Sequence, residues 1–138
     1  MRPLLYISGP YSAGDGRTTV GNIAIARAHA EVAWRRGWAA ICPHLNTARF
    51  EETCPSLCHD DWLDGDLTII SRLDPYVDAM LLLPGWMQST GAMREYQRAR
   101  SRGMEIIYPV ASPECIPSPG DRSGPVRPRG DYLPEVDD

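Results

Sequence analysis

Two acidic side chains stand where a carboxylate can do covalent work. Glu95 lies in "LLLPGWMQSTGAMREYQRARSRG", six residues after Ser89 and under two turns into the helix that Ser89 opens. From there it can point back towards the strand ends, or face solvent and pair with Arg94 or Arg98. Asp66 lies in "HDDWLDGDLTII", one position off the Leu63–Leu67–Ile70 stripe, beside Trp62. A carboxylate at the edge of an apolar face is costly unless hydrogen-bonded or used; the alternative is a helix-surface Asp. Two carboxylates across one cleft suit glycosidic chemistry. One attacks or stabilises the anomeric carbon and the other protonates the leaving group.

A second stretch points to an anion. "LLYISGPYSAGDGR" (4–17) ends an apolar run in a glycine-rich turn. Glycine lets backbone N–H groups approach a ligand. Ser8, Ser12, Thr18 and Thr19 add hydroxyls, Arg17 adds charge, and a helix begins close by with its positive end. That suits a phosphate. Two sharper motifs fail. Tyr11 stands where a P-loop needs its first glycine and Arg17 where it needs lysine, and the dinucleotide fingerprint lacks its third glycine at Thr19. A connector that binds nothing is the plain alternative.

The elements that must position these groups read as strand 4–8, helix 18–36, strand 38–42, loop 46–58, helix 59–73, strand 77–83, helix 89–102 and strand 104–110. Near-continuous apolar strands alternating with amphipathic helices predict an α/β fold. It is an open, doubly wound, flavodoxin- or Rossmann-like parallel sheet of four or five strands with helices on both faces. Ligands bind such sheets beyond the carboxyl ends of the strands. Loops 9–17, 44–58 and 84–90 meet there. The domain is expected over 1–110. A Pro-rich tail, flexible or loosely docked, follows over 111–138.

The 138 residues, 43% hydrophobic with net charge −4, suit one domain with its own core. They offer no basic face for a nucleic-acid backbone. The apolar run after Met1-Arg2-Pro3 is too short for a signal-peptide core or a membrane span. A cytoplasmic protein with free thiols at Cys42, Cys54, Cys58 and Cys115 is expected. The Cys and His spacing, Cys58-His59 included, fits no strong zinc pattern. His44 and Asn46 follow the second strand and can touch base or sugar, or cap a loop. Trp86 and Met87 can wall a base pocket or pack at a dimer interface. Trp34 and Trp38 read as core or interface residues, and Arg94, Arg98, Arg100 and Arg102 as a solvated helix face.

Taken together, Tyr6-x-Ser8-Gly9-Pro10, Asp66-Leu67 and Ser89-x-Gly91-x-x-x-Glu95 resemble the nucleoside 2-deoxyribosyltransferase superfamily. The branch most similar is that of the nucleoside 5′-monophosphate N-glycosidases, with the small deoxyribosyltransferase-like proteins. The resemblance implies Glu95 as nucleophile, Asp66 as the group protonating the departing base, and Tyr6 as the residue orienting Glu95. It implies Ser89 as the hydroxyl that accommodates a 5′-phosphate, where transferases of free nucleosides carry Asp. Ser8, Gly9, Ser12, Arg17, His44, Trp86 and Gly91 complete the expected substrate contacts. No metal or organic cofactor is needed, and a homodimer is expected, in which family members borrow a residue from the neighbouring chain. The expected activity is hydrolysis of a nucleotide to free base and (deoxy)ribose 5-phosphate. Base exchange between deoxynucleosides and non-catalytic nucleotide binding are the alternatives.

Overall fold

The computed structural model describes residues 1–14 and 16–122, so of the tail expected over 111–138 the part 123–138 lies outside the described residues. Strand β1 (Leu4–Ser8) leads through helix α1 (Thr19–Arg35) to β2 (Ala39–Ile41). Two short helices, α2 (Pro43–Asn46) and α3 (Phe50–Thr53), break up the stretch expected to be loop. Helix α4 (His59–Arg72), β3 (Ala79–Leu82), α5 (Thr90–Ser101) and β4 (Glu105–Ile107) follow.

All strand pairs are parallel and their order is β2-β1-β3-β4. The period-2 alternation of each strand splits the core in two. Leu5, Ile7, Ala79, Leu81 and Leu83 meet Ala26, Ala30 and Ala33 of α1. Tyr6, Met80 and Leu82 meet Ile70 of α4 and Ala92, Tyr96 and Ala99 of α5. Helices thus cover both faces, and the fold is an open, doubly wound α/β sheet of four strands.

This order makes a switch point. The chain leaves β1 for α1 on one face and leaves β3 for α5 on the other, so a crevice opens beyond the carboxyl ends of β1 and β3. The two strand ends lie close: Leu83 N donates to Ser8 O at 2.8 Å, and a Cβ on Gly9 would come within 2.6 Å of the Leu83 Cβ. Glycine at position 9 is therefore required by packing.

Two sequence expectations are corrected by tertiary contacts, and the two tryptophans read as core or interface residues are separated. Trp34 is 49% exposed, with the Arg2 guanidinium 5.6 Å above its ring, while Trp38 is fully buried. Arg94 is exposed as expected of a solvated helix face, but Arg98 and Arg102 are tied to α4. Arg98 donates to Ser71 Oγ (2.6 Å), and Arg102 to the carbonyls of Ile70 and Leu73 at the α4 C-terminus (2.6 and 2.7 Å), where Ile70 O also accepts from Leu73 N. Residues 111–122 are packed down. Ile116 is 1% exposed in the α1-side core, and Trp38 Nε1 donates to Pro117 O at 2.8 Å. Arg122 lies over the Trp38 ring and pairs with Glu105 at 2.8 Å.

Asp78, expected within a strand, instead precedes β3 and is 6% exposed. Its carboxylate accepts from Leu4 N and from Asp74 N, both at 2.8 Å, so one side chain sets the start of β1 against the α4–β3 turn. Asp78→Ala strands both donors. It is expected to lower stability by about 2–4 kcal/mol in urea denaturation, with Asp78→Asn in between.

Candidate active site

The crevice is a cavity of about 670 Å³, walled by the 9–17 loop, the 43–63 region and the start of α5. Its size falls in the range that holds a small organic ligand. Asp66 and Glu95 both line it.

Glu95 reaches it because of where α5 starts. Ser89 caps the helix, its Oγ accepting from Ala92 N at 3.2 Å. Positions 92, 95, 96 and 99 then form the buried stripe, placing a carboxylate among Ala92, Tyr96 and Ala99. Glu95 is 7% exposed. Tyr6, fully buried on the same face of the sheet, donates its phenolic hydrogen to Glu95 Oε2. Asp66, half-buried on α4, is near enough to raise the pKa of both Tyr6 and Glu95.

Burial, then the charge of Asp66, pushes Glu95 up to about 8; the hydroxyls of Tyr6 and Ser8 oppose that rise. Burial pushes Asp66 up to about 6. Tyr6 is held well above the phenol range by burial and by the Glu95 charge, so it remains a donor. Burial lifts Cys42, at the end of β2, to about 11.

The first loop and the start of α5 bring further polar groups to the cavity wall. The 9–17 loop is braced from behind: His44 Nε2 bonds Pro10 O (2.7 Å), and Asn22 Nδ2 donates to the carbonyls of Tyr11 and Ser12 (3.0 and 3.1 Å). Arg17 lies against Gly85, where a Cβ would come within 2.6 Å of Nη2 and where φ is +85°, so glycine makes room for the guanidinium. Among the described residues Arg17 has no carboxylate partner. The N–H groups of Thr90 and Gly91 have no backbone partner.

Of the sequence candidates, Gly9, Ser12, Arg17, His44, Asp66, Ser89, Gly91 and Glu95 line the cavity. Tyr6 and Ser8 lie beneath it, in contact with the Glu95 side. Trp86 is not a wall of the pocket. It is 5% exposed in the α5-side core, 4.8 Å from Tyr96 and 6.4 Å from Tyr108 between ring centroids. His44 is buried as a loop brace, and burial lowers its pKa.

Sequence reasoning passed over Tyr11, Glu51, His59 and Trp62, which also line the cavity. Tyr11 OH receives Arg49 N at 2.8 Å and donates to Glu51, closing the first loop onto α3, and Phe50 meets Trp62 edge-on at 6.0 Å. Only the apolar spacing around Trp62 hinted at these contacts. The rest depends on which loops become neighbours.

Both carboxyls hold protons more tightly in the folded chain than at their ordinary values of 4.5 and 3.8. Folding therefore takes up protons between about pH 4 and pH 8, and stability falls as pH rises through that window. Glu95→Gln removes most of this slope. Its melting temperature is expected to match wild type near pH 5 and to exceed it by several degrees at pH 8. Equal offsets at both pH values would overturn the assignment of the slope to Glu95.

Among the described residues no helix is long and apolar enough to cross a membrane. No curated protein and no solved structure matches the chain. One family model does, over residues 3–108, a span that contains every candidate residue named above. The chain thus belongs to the family described as "Domain of unknown function (DUF4406)".

Proposed function

We propose that the protein hydrolyses the N-glycosidic bond of a nucleoside 5′-monophosphate. One observation carries the reading: a buried glutamate, held by a buried tyrosine and facing a second carboxyl, at the floor of a nucleotide-sized cavity. An arginine with no carboxylate partner among the described residues, and open N–H groups at the start of α5, support a phosphate-bearing substrate. Ser89 supports it too, because a hydroxyl at that helix start attracts phosphate where a carboxylate would repel it.

The chemistry runs in two steps. The Glu95 carboxylate attacks C1′ and the C1′–N bond breaks. The base leaves with the bonding pair and takes the proton held by Asp66. Water then adds to C1′ as the ester opens, returning one proton to Asp66 and freeing the sugar 5-phosphate. Tyr6 donates to the Glu95 oxygen and holds the carboxylate in line for attack. The four unpaired cysteines are consistent with a cytoplasmic setting. A homodimer belongs to the same proposal.

Two outcomes are expected. With a panel of ribo- and deoxynucleoside monophosphates, wild type releases free base, read by chromatography. Glu95→Gln still gains thermal stability from nucleotide but loses turnover by at least about 10³-fold; full activity in that variant would remove Glu95 from the mechanism. The pH profile is the second outcome. With both carboxyls protonated there is no nucleophile, and with both ionised there is no acid. The kcat/KM profile should therefore be a bell whose limbs reflect the pair, near pH 6 and pH 8. Asp66→Asn should lower kcat by about 10²-fold or more and flatten the alkaline limb.

A further inference from the structure

Ser8 was expected among the substrate contacts, but it lies under the cavity floor. It is 1% exposed, and its Oγ has no hydrogen-bond partner among the described residues. A buried hydroxyl left unpaired is unfavourable, so its retention calls for an explanation. Its place in the strand supplies one. Ser8 is two residues after Tyr6, so both side chains leave β1 on the face covered by α5. Tyr6 already donates to Glu95, and Ser8 stands beside the same carboxyl, near enough to favour its ionised form without closing a hydrogen bond.

We propose that Ser8 is a positioning residue for Glu95, a second hydroxyl donor held in reserve on the strand that carries Tyr6. A neutral Glu95 carries its own O–H and has one bare acceptor oxygen, which the Tyr6 bond occupies. An ionised Glu95 has lone pairs on both oxygens to satisfy in a site shielded from water, and Ser8 supplies the additional donor. The same donor steadies the carboxylate when it leaves C1′ in the second step. This use rests on the glycosidase reading; the coupling between Ser8 and Glu95 does not.

The groups around Glu95 bound the effect. Tyr6 on β1 donates to it, the charge of Asp66 on α4 raises its pKa, and Cys42 at the end of β2 feels its charge. Arg17, His59 and Glu51 stand further round the cavity wall. None of them replaces a hydroxyl beside Tyr6.

The experiment follows the Glu95 carboxyl by carbon NMR across pH in full-length wild type, Ser8→Ala and Ser8→Thr, without substrate. Loss of the donor should raise the Glu95 midpoint by about one pH unit in Ser8→Ala. Ser8→Thr, which keeps the hydroxyl, should return it to wild type. The alkaline limb of kcat/KM, which lies near the Glu95 midpoint, should move with it. An unmoved midpoint in a folded Ser8→Ala protein overturns the inference, as does an equal shift in both variants. If no nucleotide releases base, the proposed function fails, while the titration still decides the role of Ser8.

Discussion

The hydrogen bond from Tyr6 to Glu95 joins residues 89 apart in the chain and is the constraint on which the site depends. A carboxyl that is 7% exposed is tolerated only if something donates to it or it stays protonated. Here both hold in part. For the bond to form, β1 must lie next to β3, Tyr6 must face α5, and α5 must start at Ser89 so that position 95 falls on its inner stripe. Parallel pairing of Tyr6 with Met80 and Ser8 with Leu82 meets the first two demands. The Ser89 cap meets the third.

Everything else at the crevice is support for that arrangement. His44 and Asn22 take up the carbonyls of the first loop and fix its backbone against α1 and α2. Tyr11 ties the loop to Arg49 and Glu51 on the far side. The arginines of α5 lace that helix to α4, which keeps Asp66 beside Glu95. The fold thus accepts two carboxyls with raised pKa values, at a local loss of stability as pH rises.

Three tryptophans show how far pattern reading goes. Trp34 and Trp38 lie four apart around the end of α1, yet one is half-exposed and the other fully buried. The difference comes from residues 111–122, which fold back over Trp38 and leave Trp34 to Arg2. Trp86 sits in a ligand-edge loop by sequence, but its ring turns inward onto Tyr96. Chain position told where each backbone would be; ring direction depended on neighbours distant in sequence.

What the sequence by itself determined is local. Apolar runs of strand length, amphipathic stripes, the Ser89 cap and the glycine stops prescribe alternating strands and helices, and from them a doubly wound sheet with its site beyond the strand ends. Helical spacing also puts Glu95 on the same stripe as Ala92, Tyr96 and Ala99, a signal of burial carried by residue order alone. The tertiary structure decided the rest. Only there does Gly9 answer to Leu83, Gly85 make room for Arg17, Ser8 lie under the carboxylate and His44 brace a loop. The physical reason is range. Propensity and periodicity act over a few residues, whereas close approach and buried hydrogen bonds arise only when strand order brings distant segments together.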